Sequence, residues 1–519
     1  MLTTPPSVRK TALLLFLSLL ACYMALAPGT VEGRGYLTDD MNAGMSLLAS
    51  FNAWVKGRPA TPIFWTRHGP VPILLDLPFI KFGKLFISPD FMMSVELLLL
   101  TATLLTVVYI WLRKLCTPGM SLLLTLIGAF GTMLWPYAYI GMETKQSLFL
   151  CLAGYLGLAN SKIRTWPKLL MFSTVCGLAI SMKSIGIVLA PPIAYLVYLQ
   201  FRREWRLRWR QALTSVGIIA CVWSVNALGW SVFWNNAGGA APALTLWLAH
   251  SPLQFFANAL GIFGSPQKGF FVFAPILLVC FYAVPRIFRS HREMVIFGLL
   301  VTASTAAFLS ALVITADDVW GSRYMHVAIA PLLIIIGAAC PRFQWRHASL
   351  LILAAIGLSI SFLGAFYYYP SHNWAAFLTG QNTIEWLVGD TVWNEVEFNA
   401  RLFRVWLKGG DEPVLWTPSH IWAWTPPPDA QPWKTINLRD LSNPQSFLLS
   451  HWNTPLDGSN VVVFRICWIC SFVGPLLLLW VIGITRRDSK TFRSKKQRPL
   501  RFWTSALRTN HNFHLDRRE

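Results

Sequence analysis

Charge is what this sequence has least of. Only 13% of its 519 residues are charged and just 23 are Asp or Glu, where a soluble chain carries roughly 25% charged residues. A water-soluble fold of this length is excluded on that ground. Cysteine is also missing where an extracellular scaffold needs it. All nine cysteines lie in or beside apolar runs and none in the long polar loops, which excludes a disulfide framework on those loops. Cys467 and Cys470 form a C-x-x-C inside the last apolar run, where core packing is the simpler reading. No His/Cys/Asp cluster has zinc-site spacing. No P-loop or dinucleotide-binding glycine pattern stands in a suitable context, so the chain carries no sign of nucleotide use.

Hydrophobicity is what it has in quantity. Hydrophobic residues make up 55% of the chain and the mean hydropathy is +0.49. Apolar runs alternate with short basic loops, the pattern of a multi-pass membrane protein. Spans are expected at about 11–27, 92–112, 119–140, 146–160, 167–181, 185–200, 211–234, 269–285, 294–315, 324–340, 348–368 and 461–485. With the N-terminus inside, one face collects Arg113-Lys114, Lys162/Arg164/Lys168, the basic run 202–210, Arg286/Arg289/Arg292, Arg342/Arg346 and the tail. The other face collects Asp39-Asp40, Glu143, Asp317-Asp318 and 369–460. This alternation predicts an all-α protein of about twelve transmembrane helices with both ends cytoplasmic. It also explains the net charge of +21 through the positive-inside rule, so a nucleic-acid partner is not expected. The first run could be a signal peptide ending at Ala25-Leu26-Ala27, but Pro28 disfavours cleavage and the topology works with a retained helix.

The organisation that follows is a membrane domain over 1–368, an outer Trp-rich stretch over 369–460, a last span over 461–485 and a basic tail over 486–519 near lipid headgroups. The membrane domain contains a long first outer loop, 28–91. Within it, the apolar spacing near 45–51 suits a helix lying along the membrane surface. Pro70, Pro72 and Pro78 are expected to break regular structure. A second loop, 235–268, has an apolar part near 242–263 that suits a re-entrant or interfacial segment. The tryptophans of 369–460 read as an interfacial aromatic belt or, for at least one of them, as a platform that stacks on sugar rings.

Few groups outside the cytoplasmic face can carry chemistry. Asp39 and Asp40 open the first outer loop, in Gly35-Tyr36-Leu37-Thr38-Asp39-Asp40. They are solvated acids, a helix cap, or a general base that takes the proton of an acceptor hydroxyl with its neighbour beside it. Glu143 follows Trp135-Pro136-Tyr137 at the outer end of the third span and reads as a second acid or an interfacial carboxylate. Glu96, in the second span, is expected near enough to the surface to be solvated. Lys183, Lys268 and Arg323 stand on the outer side against the topology bias. A basic group there needs an anionic partner or snorkels to headgroups, and a phosphate gripped by Arg would supply the partner. His68, alone in a Pro-rich loop, is structural or substrate-binding.

Taken together, these pieces resemble the GT-C superfamily of integral-membrane glycosyltransferases, in the branch of protein O-mannosyltransferases and lipid A aminoarabinose transferases. The resemblance runs over about 10–370. It rests on Asp39-Asp40, His68-Gly69-Pro70 with Pro72 and Leu74-Leu75, and Trp135-Pro136-Tyr137 with Glu143. Ser265-Pro266-Gln267-Lys268-Gly269 and Gly321-Ser322-Arg323-Tyr324 complete it. It implies a polyprenyl-phosphate sugar donor and an inverting displacement at the outer face of a bacterial inner membrane. Asp39 or Asp40 would be the base and Glu143 the second acid. Lys183, Lys268 and Arg323 would hold the phosphate, with His68 at the substrate. The acceptor would be a protein, lipid or glycan. Whether a divalent metal takes part stays open. A transporter or flippase of a lipid-linked sugar is the competing expectation; it would place ionisable groups deep in the bundle.

Overall fold

The computed structural model describes residues 6–27, 36–59, 69–141, 143–159, 165–202, 204–236, 251–265, 269–311, 323–341, 348–366, 395–409, 413–416, 434–437 and 458–494. These are almost wholly helical. Among the described residues, six helices are long and apolar enough to cross a membrane: 7–25, 91–112, 206–229, 292–311, 348–366 and 461–488. Shorter apolar helices cover 118–130, 166–181, 186–201, 275–287 and 323–339. The chain is an integral multi-pass membrane protein.

The first helix, α1 (Pro6–Ala25), is a member of the bundle. Its Ser18 hydroxyl donates to the Gly474 carbonyl of the last helix at 3.2 Å, and Tyr23 donates to the Ala129 carbonyl at 2.9 Å. In the stretch 28–91, expected as the first outer loop, the helix expected near 45–51 is present within α2 (Tyr36–Val55), and the departure is a second helix, α3 (Pro70–Phe86). The prolines start α3 instead of breaking it. Pro70 and Pro72 fall in the first turn, where backbone N–H groups have no intrahelical acceptor anyway, and only Pro78 sits in the interior. Gly69, just before, has φ 82°, and a side chain there would stand 2.4 Å from the Asn226 Oδ1. That Asn226 oxygen instead accepts from Val71 N at 3.2 Å. The His68-Gly69-Pro70 pattern is thus, in its last two residues, a helix-start device pressed against a neighbour.

The helices α2 and α3 pack on α4 (Pro89–Leu112) through a small apolar cluster of their own. Ile80, Met93 and Leu97 form its centre, with Met41, Met45 and Leu48 against them. The much larger main core takes in α1, the rest of α4 and the later helices.

Prolines also explain where the expected spans are cut. The run at 119–140 is two helices, α5 (Pro118–Phe130) and α6 (Leu134–Ile140). Pro136 cannot donate from the middle of one long helix, but it fits the first turn of a new one. Thr132 assists: its hydroxyl donates to the Gly128 carbonyl at 2.7 Å and accepts from Leu134 N at 3.2 Å. Next come α7 (Glu143–Gly154), a π turn at Tyr155–Ala159 and α8 (Trp166–Ser181). The span expected at 185–200 begins as a 3-10 turn, Ser184–Leu189, and restarts as α9 (Ala190–Phe201) with prolines in its first turn.

Helix α10 (Trp205–Asn236) bends at Arg208. The apolar part of the second loop is α11 (Pro252–Gly264), which leaves Leu253, Phe256 and Leu260 exposed. The run at 269–285 is a turn at Phe270–Phe273, a 3-10 turn at Pro275–Val279 and α12 (Cys280–Ile287). Then follow α13 (Arg292–Ala311), a 3-10 turn Arg323–Met325 leading into α14 (His326–Ala339), and α15 (Ala348–Phe366).

In the Trp-rich stretch the structure describes α16 (Glu395–Lys408) and an antiparallel ribbon, β1 (Pro413–Trp416) with β2 (Lys434–Asn437). Trp406 on α16 stacks on Phe403 and meets Phe366 edge-on. The last helix, α17 (Gly458–Ser494), carries Cys467 and Cys470 as free thiols.

Candidate functional site

The start of α7 is the most polar buried segment among the described residues. Glu143, Thr144, Lys145, Gln146 and Ser147 are all at most 5% exposed. α7 can begin there because α6 ends at Ile140 and the chain turns through Gly141. The Thr144 backbone N–H then donates to the Gly141 carbonyl at 3.3 Å, and the Thr144 hydroxyl reaches the Tyr137 carbonyl at 3.3 Å.

Glu143 was expected as an outer-loop acid at the end of the third span. It is instead buried, and two cations converge on one of its oxygens. Arg323 Nε donates to Glu143 Oε1 at 2.5 Å, and Lys183 Nζ donates to the same atom. Both cations are buried as well, at 4% and 5% exposure. Charged groups withdrawn from water this far require partners. The second oxygen, Glu143 Oε2, has no hydrogen-bond partner among the described residues. A side chain on Gly141 would stand 2.5 Å from it.

Two local devices bring the cations in. Lys183 follows α8 at a tight turn closed by Gly186 N donating to the Lys183 carbonyl at 2.8 Å. A Cβ on Gly186 would lie 1.9 Å from the Ile180 carbonyl oxygen. Arg323 opens the 3-10 turn before α14. Tyr324 lies against both cations, its ring centroid 4.2 Å from Lys183 Nζ and 5.5 Å from the Arg323 guanidinium carbon.

One turn further along each of these helices stands a second rung. Ser147 Oγ and His326 Nδ1 are 2.7 Å apart and both residues are buried. The Tyr137 ring lies against the imidazole, 5.0 Å between centroids. His326 Nε2 has no hydrogen-bond partner among the described residues.

On the other side of α7 is a third group. Lys145 Nζ pairs with Asp76 of α3 and, at 3.2 Å, with Glu96 Oε1 of α4. Glu96 is 1% exposed, so the expectation that it is solvated near the surface is wrong. The first outer loop packs over it and Lys145 supplies its partner.

The structure therefore brings Glu143, Lys183 and Arg323 together. Asp39 and Asp40 fall in the first turn of α2, four to five residues inside a helix that starts at Tyr36. A cap before 41–51 is therefore not their position. Their side chains, and all of His68 and Lys268, lie outside the described residues. Asp76, Glu96, Lys145, Ser147 and His326 were not singled out from the sequence as site residues. A signal was present for two of them. Glu143 and Ser147 are spaced i, i+4 and Arg323 and His326 i, i+3, which puts each pair on one face of its helical segment.

The fold is similar to two crystal structures of ArnT from Cupriavidus metallidurans. One is bound to undecaprenyl phosphate, with 12% identity and a TM-score of 0.44, covering 92% of this chain and 75% of that one. The other is in the apo state, with 13% identity and a TM-score of 0.44, covering 92% and 74%. ArnT is a GT-C lipid A aminoarabinose transferase, the branch that the sequence motifs resemble. Neither value assigns a role to any residue of this chain. No protein-family model and no curated protein matches it.

Proposed function

We propose that this chain is a membrane glycosyltransferase. It moves a sugar from a polyprenyl-phosphate donor to an acceptor at the outer face of a bacterial inner membrane, within a bundle of about twelve spans. The observation that carries this reading is the convergence of Lys183 and Arg323 on Glu143 Oε1 inside an apolar bundle. Two buried cations meet at one carboxylate, so the cluster gathers anion-binding donors in a low-dielectric setting. Its natural ligand is an anion attached to something apolar, and a lipid phosphate is that.

In this reading the acceptor oxygen attacks the anomeric carbon as the carbon–phosphate oxygen bond breaks, with inversion. Asp39 or Asp40 takes the acceptor proton. Lys183 and Arg323, with Lys268, take up the charge that develops on the departing phosphate. Glu143 holds the two cations at a common point until the phosphate arrives. His68 lies at the substrate. The acceptor is a protein, lipid or glycan, and 369–460 is where its selection belongs.

The test is transfer of radiolabelled sugar from a panel of polyprenyl-phosphate donors, using purified protein in proteoliposomes. Wild type should consume one donor. Asp39→Asn or Asp40→Asn should abolish transfer, by roughly 10²-fold or more, while the protein still folds. Full activity in both single variants sinks the base assignment. The flippase reading has one observation in its favour, the buried Asp76–Lys145–Glu96 group. Movement of intact donor across the bilayer without sugar transfer would select it.

A further inference from the structure

Two buried polar atoms beside the cations stand without partners, and they belong to one corner of the site. Glu143 Oε1 meets Lys183 and Arg323, but Glu143 Oε2 has no hydrogen-bond partner among the described residues, and neither has His326 Nε2. Glu143 is 1% exposed and His326 fully buried. Leaving a buried polar atom unsatisfied costs more than an ordinary hydrogen bond contributes, so each such atom in a native fold calls for an explanation.

The fold makes the two atoms neighbours. α7 and the segment 323–326 are joined twice, at Arg323–Glu143 and at His326–Ser147. Glu143 and Ser147 are four residues apart and Arg323 and His326 three, so the second join lies one turn, about 5.4 Å, beyond the first. Tyr137 borders both groups. Its ring centroid is 5.0 Å from that of the imidazole. A Cβ on Gly141 would stand 2.9 Å from Tyr137 Cδ1 and 2.5 Å from Glu143 Oε2. The Gly141 backbone is extended, with φ −135° and ψ 143°, a conformation that any residue adopts. Glycine is not needed there for the turn; what it does is leave Oε2 uncovered on that side.

The hydrogen bonds also fix what each atom asks for. The 2.7 Å contact with His326 Nδ1 is the one hydrogen bond that the Ser147 hydroxyl makes among the described residues. Its proton therefore points at Nδ1, and the neutral imidazole carries its own proton on Nε2. That makes Nε2 a donor, while Oε2 is an acceptor. A hydroxyl satisfies both at once, accepting from Nε2–H and donating to Oε2. An ammonium has no lone pair for the first, and a carbonyl has no proton for the second.

We propose that Glu143 Oε2 and His326 Nε2 form a subsite for a hydroxyl group, one helical turn from the place where Lys183 and Arg323 meet. The ligand that fits both is a phosphate ester with a hydroxyl a few bonds from its phosphorus, which describes a sugar phosphate and not a bare lipid phosphate. The inference rests on the glycosyltransferase reading for the phosphate; the hydroxyl is read from the two atoms themselves.

The test compares soluble probes on the full-length protein in lipid nanodiscs by titration calorimetry: methyl phosphate, which has no hydroxyl, and a panel of pentose and hexose 1-phosphates. Wild type should bind at least one sugar 1-phosphate about fivefold or more tighter than methyl phosphate. A water bridging the two atoms predicts equal affinities across the panel, and that result overturns the subsite without any variant. His326→Asn reaches Ser147 but has nothing at the place of Nε2. It should lose the preference while its affinity for methyl phosphate stays within about twofold of wild type. His326→Gln, whose amide nitrogen reaches the place of Nε2, should keep most of the preference. A preference undiminished in His326→Asn, or lost equally in both variants, also overturns the subsite. Sugar transfer from polyprenyl-phosphate donors is measured separately on wild type. Transfer without any sugar 1-phosphate preference sinks the subsite and spares the glycosyltransferase reading. A preference without transfer sinks that reading and leaves the subsite standing.

Discussion

Replacing Glu143 by Gln keeps the shape of the side chain and removes the charge that Lys183 and Arg323 share. Glu143 is 1% exposed and the two cations no more than 5%, so none of the three can be rehydrated without opening the bundle. Removing one partner of a buried ion pair costs about 3–5 kcal/mol, because a charge is left uncompensated. Here two are left. Tyr324 touches both cations, but an aromatic face supplies roughly 2 kcal/mol to a desolvated cation, so a deficit remains. Glu143→Gln should therefore unfold at a clearly lower temperature than wild type in detergent, followed by tryptophan fluorescence. The same reasoning says what should repair it. Inorganic phosphate or pyrophosphate at 100 times its Kd stabilises a binding-competent protein by about 2.7 kcal/mol, and the variant, which lacks the carboxylate both cations meet, should gain more from it than wild type. A Glu143→Gln protein with the wild-type melting temperature, or one that phosphate helps no more than wild type, refutes the claim that this carboxylate balances an anion site.

Gly186→Ala should destabilise by about 2 kcal/mol or more and lower donor binding along with it. A Cβ 1.9 Å from the Ile180 carbonyl oxygen forces open the turn that holds Lys183, and a thermal melt with a donor-binding isotherm checks both. At His326, Gln carries its amide nitrogen near the place of Nε2 and Asn near the place of Nδ1. If the rung to Ser147 is what matters, His326→Asn should melt within about 1 kcal/mol of wild type and His326→Gln lower, since it loses one buried hydrogen bond.

The helical, multi-pass character was readable because its signal is collective, and six of the twelve expected spans are helices long and apolar enough to cross a membrane among the described residues. Apolar runs and basic loops alternate over the whole chain, and helices occur in the structure at every expected place. What the runs did not reveal is where a helix is cut. Trp135-Pro136, Pro191-Pro192 and Ala274-Pro275 each lie inside an apolar stretch that reads as continuous, and each is a restart. The same residue type misled in the opposite direction in the first outer loop. Pro70, Pro72 and Pro78 suggested irregular structure, yet two of the three occupy a first turn. A proline's effect depends on whether its missing N–H has an acceptor waiting one turn earlier, and that is a property of the helix start, which hydropathy does not register.

The site divides along a similar line. Lys183 and Arg323 stood out because the expected topology sets each on the wrong side of the charge bias, and their shared partner, Glu143, was a lone acid near a helix end expected to be outer. Each is conspicuous in its own neighbourhood. Asp76, Glu96 and Lys145 were not, because each taken singly has an ordinary explanation: an acid in a loop, an acid near the surface, a base beside a span. Only their meeting is unusual, and it depends on α3 being a helix that packs on α4. The prolines concealed that helix and so concealed the triad. Once α3 is a helix, Asp76 lies on the face that also carries Ile73 and Ile80, both buried, three residues after the first and four before the second. That spacing is a helical stripe, so an acid at 76 is committed to a buried position and a cation from a neighbouring helix has to meet it.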